Sequence, residues 1–272
     1  MNSRQAPDTE MNILDKIIEY KRLEVERRKV DMPVARLKES PLFERDTLSL
    51  RQFLNDPEKT GIIAEFKRRS PSKGWINEHA NVVKVTEAYT RFGASCLSVL
   101  TDGQFFGGST KDLQDARRNV IPILRKDFMI DEYQIVEAKA MGADVILLIA
   151  ACLTPAEVKR LSVFARSLGL EVLLEIHNEE ELGHICDETE LIGVNNRDLK
   201  TFTVDVNRSI GLSLKIPAGK VTISESGISD PETILQLKGY GFRGFLIGEN
   251  FMKDANPAGA FESFVQQLKK PA

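Results

Sequence analysis

Residues 61–74 read Gly61-Ile62-Ile63-Ala64-Glu65-Phe66-Lys67-Arg68-Arg69-Ser70-Pro71-Ser72-Lys73-Gly74. The segment starts as a run that wants burial and ends as a basic turn rich in Ser, Pro and Gly. Side chains two apart on a strand share a face, so Glu65 and Lys67 point the same way. Charges at the end of an apolar strand call for a partner or a ligand. A salt-bridged strand end beside a solvated turn meets that need, and so does a binding site. No G-x-G-x-x-G follows the strand, although a doubly wound dinucleotide-binding sheet would carry one there.

Downstream the pattern repeats. Apolar runs occupy Gly61–Phe66, Cys96–Thr101, Pro122–Phe128, Ala143–Ala150, Glu171–Ile176, Leu191–Asn196, Val221–Ser226 and Gly244–Gly248. They are spaced by roughly 20–35 residues, as βα units require. The segments between them read as helices. Asn81–Phe92 carries apolar residues at helical spacing. Thr154-Pro155-Ala156-Glu157 is an N-cap with Pro in the first turn and an acid at the third position, opening a helix to Leu168 that Gly169 ends. Ser229-Asp230-Pro231-Glu232 opens another, closed by Gly239 or Gly241. Near-continuous apolar strands alternating with helices mean a parallel sheet buried on both faces. Eight such units close into a (β/α)8 TIM barrel, preferred here over the open doubly wound sheet.

The expected organisation is therefore α/β. Residues 11–272 form one (β/α)8 barrel domain, of which 11–59 are an N-terminal helical extension, and the polar residues 1–10 are expected to be disordered. In the extension Ile13, Leu14, Ile17, Ile18, Leu23 and Val25 form a helical stripe, broken into pieces at Pro33 and Pro41. These helices are expected to lie across one mouth of the barrel, with a simple plug or an oligomer contact as the alternatives.

The composition is that of a soluble globular chain, 42% hydrophobic and 28% charged over 272 residues. A net charge of -3 argues against a general nucleic-acid binder but leaves room for a local cationic pocket. Cys96, Cys152 and Cys186 are far apart and odd in number, so reduced thiols in a cytoplasmic protein are expected. His79, His177 and His184 make no zinc motif. No apolar stretch reaches membrane-spanning length.

A barrel of this kind places its active site at the C-terminal ends of the strands. Polar residues collect there: Glu65 and Lys67 on the first strand, Lys126 on the third, Glu175 on the fifth, Asn195 and Arg197 on the sixth, Glu225 and Ser226 on the seventh. Convergent lysines and glutamates are the materials of acid–base catalysis. Gly227 and Gly248 end the last two strands, where such barrels bind phosphate, although turn glycines without a ligand look the same.

The segments Ile63–Ser72, Leu97–Asp102 with Phe105–Ser109, Pro122–Phe128, Leu174–His177, Gly193–Leu199, Ser224–Ile228 and Phe245–Glu249 resemble the indole-3-glycerol phosphate synthase family. The Arg-Lys-Asp-Phe and Asn-Asn-Arg-Asp-Leu stretches are the most specific, and the match runs in register from about residue 11 to the end. The resemblance implies ring closure of 1-(2-carboxyphenylamino)-1-deoxyribulose 5-phosphate, with loss of carbon dioxide and water. It implies no metal and no organic cofactor. The implied partner is this phosphorylated small molecule, with no nucleic acid and no membrane, acting on a monomer or weak oligomer.

The family pattern also implies roles. Lys126 and Lys67 serve acid catalysis, Lys67 also holding the benzoate carboxylate. Glu175 is the base of dehydration, Glu65 a carboxylate paired with lysine, and Asn195 an orienting group. Glu225, Ser226 and Arg197 bind substrate. Phe106, Phe128, Leu147 and Ile149 pack the anthranilate ring, ordinary barrel core being the plain alternative for the last two. Ser70, Gly227 and Gly248 match phosphate positions, and Glu249 is a carboxylate where some members carry a small residue. A lysine acid is expected to have a lowered pKa. Two rivals stay open. Phosphoribosylanthranilate isomerase would need a Cys/Asp pair, and no Cys ends the first strand. A non-catalytic barrel would have no use for Lys126 and Glu175.

Overall fold

The computed structural model describes residues 12–198 and 203–270. Residues 1–10, expected to be disordered, lie outside them. Eight parallel strands close into a barrel: β1 Ile62–Phe66, β2 Cys96–Leu100, β3 Ile123–Lys126, β4 Val145–Ile149, β5 Glu171–Ile176, β6 Leu191–Asn195, β7 Val221–Glu225 and β8 Gly244–Ile247. Each pairs with its neighbours in sequence, and β1 with β8 completes the ring. Every apolar run of the sequence becomes a strand.

Alternation along each strand builds two cores. Ile63, Cys96, Leu124, Val145, Leu147, Leu173, Leu191, Ile223 and Leu246 point inward and fill the barrel. Ile62, Ala64, Phe66, Leu97, Val99, Ile146, Leu148 and Val194 point outward and pack under the helices. Helices start where the caps are. Asn81 accepts from the Lys84 N–H at 3.0 Å and opens Val82–Arg91. Thr154 and Glu157 form a reciprocal capping box on Pro155–Ser167. Asp230 caps Pro231–Gly239, and Gly241, not Gly239, takes the left-handed turn beyond it.

The N-terminal extension serves both ends of the barrel. Helix Ile13–Asp31 lies over the C-terminal mouth, where Ile13, Leu14 and Ile17 face Lys126 across a pocket. The short helix Leu50–Asn55 plugs the opposite end, Leu50 and Leu54 packing on the inward residues of the strands. The apolar stripe is not quite the one expected. Leu23 is 70% exposed, while Lys21, one turn from Ile17 and from Val25, is 1% exposed.

Burial of Lys21 has a physical cause. Its ammonium lies 2.8 Å from Asp102 Oδ2 and 2.9 Å from Asp127 Oδ1, just past the ends of β2 and β3. Arg125 extends the network to Asp127 at 3.2 Å and to Glu137 at 2.6 Å. Burial alone would raise the Asp127 pKa, but Lys21 and Arg125 outweigh it and hold the carboxyl well below its ordinary range. Removing one partner of such a buried pair strands the other charge, at a cost of about 3–5 kcal/mol. Lys21→Met is expected to lose stability of that order in urea denaturation at neutral pH. A depressed carboxyl pKa contributes stability above the unfolded value that is lost as pH falls through the folded one. The deficit of Lys21→Met should therefore shrink below about pH 4, and a deficit independent of pH would remove the ionic explanation.

Candidate active site

Strand alternation explains two motifs at once. In Arg125-Lys126-Asp127-Phe128, Lys126 and Phe128 face the pocket, Arg125 turns to the buried network beneath the helices, and Asp127 touches the pocket wall while its carboxylate pairs with Arg125 and Lys21. In Asn195-Asn196, Asn195 faces inward and Asn196 outward. Asn196 Nδ2 donates to Ser224 Oγ and to the Ser226 carbonyl, both at 3.0 Å. That bond helps fix Ser226 at φ 68, a left-handed conformation that is uncommon for a residue other than glycine. The turn so held places Ser226 in the pocket wall.

The centre of the pocket is Lys126. Its Nζ lies 2.9 Å from Glu175 Oε2 and 2.8 Å from Glu225 Oε2. Asn195 Nδ2 donates to the second oxygen of Glu175 at 2.9 Å, and Asn195 Oδ1 accepts the Arg197 N–H at 3.0 Å. On β1, Lys67 Nζ pairs with Glu65 Oε1 at 2.9 Å. Phe106 and Phe128, with ring centroids 6.0 Å apart, line the pocket with Leu147 and Ile149.

Two glycines make room for carboxylates. A Cβ on Gly193 would lie 2.0 Å from Glu225 Oε1, so the strand between β5 and β7 needs glycine for Glu225 to reach Lys126. A Cβ on Gly248 would lie 2.6 Å from Glu65 Oε1. The glycine expected to serve a phosphate therefore also admits Glu65.

The electrostatics correct one expectation. Burial would lower the Lys126 pKa, but Glu175, Glu225 and Glu65 outweigh it, and the ammonium is held above its ordinary value. Burial would raise Glu175, yet Lys126, His177 and Asn195 hold it well below the carboxylate range. Glu225 goes the other way. Burial and repulsion from Glu175 and Glu65 push it up to about 7 despite Lys126. Its Oε1 accepts no hydrogen bond among the described residues.

A second cleft adjoins the pocket. Ser226, Gly227, Gly248, Arg197 and the lysines Lys67, Lys73 and Lys253 line it. Gly248 leads from β8 into the short helix Glu249–Met252. Glu249 faces the same cleft, 3.5 Å from Arg197 and 3.9 Å from Lys73. Ser70 is not among the residues lining this cleft. It is buried in the wall of the central pocket, where its Oγ accepts the Lys73 N–H at 3.2 Å.

Residues 14–264 match the family model described as indole-3-glycerol phosphate synthase. The chain is 48% identical over 259 residues to the indole-3-glycerol phosphate synthase of Bacteroides thetaiotaomicron, covering 95% of this chain and 99% of that one. It is 43% identical to the enzyme of that name from a Polaromonas species, covering 90% and 95%.

The chain belongs to the indole-3-glycerol phosphate synthase family.

Among solved structures, 3-hexulose-6-phosphate synthase from Salmonella typhimurium aligns with TM-score 0.61 at 12% identity, covering 77% of this chain and 98% of that one. At that identity the likeness shows the barrel fold alone. Against the family pattern, the structure brings Lys126, Glu175, Asn195, Glu225, Glu65, Lys67, Ser70, Arg197, Ser226, Phe106, Phe128, Leu147 and Ile149 to one pocket. Gly227 and Gly248 sit in the adjoining cleft. Sequence reasoning missed Lys21, Lys73, Lys253 and His177. Two signals were available: Lys21 shares the helical stripe of Ile17 and Val25, and His177 follows Glu175 by two residues on the same strand face.

Proposed function

We propose that this family member closes the pyrrole ring of indole-3-glycerol phosphate with Lys126 as acid and Glu175 as base. The observation that carries the assignment is the ammonium of Lys126 fixed between Glu175 and Glu225 at the centre of the mouth. The phosphate of 1-(2-carboxyphenylamino)-1-deoxyribulose 5-phosphate enters the cleft of Gly227, Gly248, Lys73 and Lys253. Its aryl ring lies against Phe106 and Phe128, with Lys67 on the benzoate carboxylate. Holding both ends brings the aryl carbon onto the substrate's own carbonyl, a proximity effect worth up to about 7–11 kcal/mol in ideal cases.

As the carbon–carbon bond forms, the carbonyl oxygen becomes an alkoxide and takes a proton from Lys126. The raised pKa of Lys126 is no obstacle, because an alkoxide is a far stronger base than an amine. Carbon dioxide then leaves and the ring recovers its aromaticity. In the final step the hydroxyl leaves as water on a proton from the Lys67 ammonium, freed once the benzoate carboxylate has gone as carbon dioxide, and Glu175, kept ionised, accepts the proton lost from the ring system. Carboxylate leaves as neutral carbon dioxide, so one proton is consumed per turnover.

The test mixes purified protein with this substrate, without added metal, and follows indole fluorescence. A rise is expected, and none from folded protein would overturn the reading. The phosphate cleft gives a second expectation. Inorganic phosphate should raise the apparent KM and leave kcat unchanged, whereas inhibition that lowers kcat alone would place the anion elsewhere.

A further inference from the structure

Glu175 is buried and faces two basic side chains. Lys126 lies 2.9 Å from Oε2, and His177 Nε2 lies 3.1 Å from Oε1. The reaction treats them differently. Lys126 gives up its proton, and with it its charge, when the ring closes. Burial disfavours the charged form of a carboxyl, so a carboxylate left without its counter-ion takes up a proton. A protonated Glu175 could not act as the base of the later step. His177 is not among the residues lining the reaction pocket; it lines a side cavity just past the C-terminal end of β5, next to Leu14 and Asp15 of the N-terminal helix.

We propose that His177 is a positioning residue that remains an imidazolium through the cycle and keeps Glu175 ionised and aimed after Lys126 has been discharged. The inference rests on Glu175 being the base.

The local fold is built for this. His177 follows Glu175 by two residues and keeps to its face. The turn of 3-10 helix Glu180–His184 then brings Glu181 back against it. Glu181 Oε2 accepts the His177 backbone N–H at 2.7 Å and lies 3.2 Å from Nδ1. Its Oε1 accepts from Asn178 Nδ2 at 3.0 Å, and the Glu181 N–H donates to Asn178 Oδ1 at 3.1 Å. Glu181 is thus locked as an acceptor, which calls for a proton on Nδ1. Glu175 calls for one on Nε2, although the approach is too oblique for a well-formed hydrogen bond, so the contact is one of charge.

Among the described residues, Asp15, Glu179, Asp198, Arg208 and Lys215 complete the charges around the side cavity. Arg208 is 3.6 Å from Asp198, and Lys215 pairs with Glu179, so these cations have acids of their own. The two carboxylates bracketing the ring dominate. Burial would lower its pKa, and Glu175 and Glu181 instead hold it up at about 9.

The experiment compares single turnovers of the wild type, His177→Gln and Glu175→Gln, following carbon dioxide release and indole formation separately between pH 6 and 10. His177→Gln is expected to lose about tenfold or more in kcat, with KM changed less than about twofold and indole lagging carbon dioxide. The wild type should develop the same lag as pH rises through about 9, and the variant should show no such dependence. Imidazole should restore part of the rate in His177→Gly through the side cavity. A purely structural role would lower Tm while leaving the two products synchronous and the alkaline limb in place, which would overturn the proposal. If His177→Gln folds poorly, the wild-type lag alone decides, and its absence up to pH 10 overturns the proposal. Normal turnover in Glu175→Gln would sink the underlying base assignment. A slow Glu175→Gln beside a normal His177→Gln would sink only the inference about His177.

Discussion

Replacing Lys126 with alanine is expected to lower kcat by about 10²–10⁴-fold, the usual contribution of a positioned acid. The loss should fall on the first bond-making step. With no donor for the nascent alkoxide, ring closure reverses, and carbon dioxide and indole should disappear together. The fold survives on different terms. Lys126 offsets the charge of Glu175 and Glu225, both buried. Without it both carboxyls lose a counter-ion and their pKa values rise. A group whose folded pKa is raised contributes stability that is full below its unfolded value and lost as pH rises through the folded value. Lys126→Ala should therefore be most stable under mildly acidic conditions and weaken steadily above them. Turnover and Tm measured together at about pH 6 and pH 8 separate the two effects. A variant that is folded at pH 6 and still turns over near the wild-type rate would remove Lys126 from the chemistry.

The barrel was legible because its signal is repetitive. Eight runs with the same length and spacing can each be blurred at the ends, and the closure rule still holds. The helix caps were legible for a different reason: Thr154 with Glu157, and Asp230 with Pro231, satisfy backbone groups a few residues away. The strand-end charges could be found by parity, since Glu65 and Lys67, or Lys126 and Phe128, share a face whatever the fold closes into. What parity cannot supply is the partner across space. Lys21 belongs to a helix 81 residues before Asp102, and nothing local distinguishes it from a solvated lysine. The direction of the Lys126 pKa was hidden in the same way. Burial was foreseeable from the strand, but the three carboxylates that outweigh it come from β1, β5 and β7 and meet only when the barrel closes. Gly248 shows a further limit. Its place at the end of β8 suggested a phosphate, but gave no sign that a Cβ there would lie 2.6 Å from the Glu65 carboxylate on the adjacent β1.

Glu175→Gln should cost about as much as the loss of Lys126, again about 10²–10⁴-fold in kcat, but at a different point in the reaction. The amide keeps the size and much of the polarity of the side chain, and Lys126 retains Glu225 at 2.8 Å. The acid therefore remains available, and ring closure and decarboxylation can proceed. On the proposed assignment, the missing function is the acceptor for the proton lost during dehydration. Carbon dioxide should appear in a first turnover at a rate near that of the wild type, while indole fluorescence lags far behind. The pH dependence sharpens this. Burial pulls the Glu175 pKa up, but Lys126, His177 and Asn195 together hold it well below the ordinary range, so the wild type keeps an ionised base throughout the neutral region. Loss of that base by protonation should appear only under acidic conditions, and the dehydration step of the wild type should be flat from about pH 6 to 8. Glu175→Gln should be slow at every pH, since no change in proton concentration turns an amide into a base. Simultaneous loss of carbon dioxide and indole in this variant would move Glu175 from the dehydration to the ring closure. It would leave Lys126 without the division of labour that its two carboxylate partners suggest.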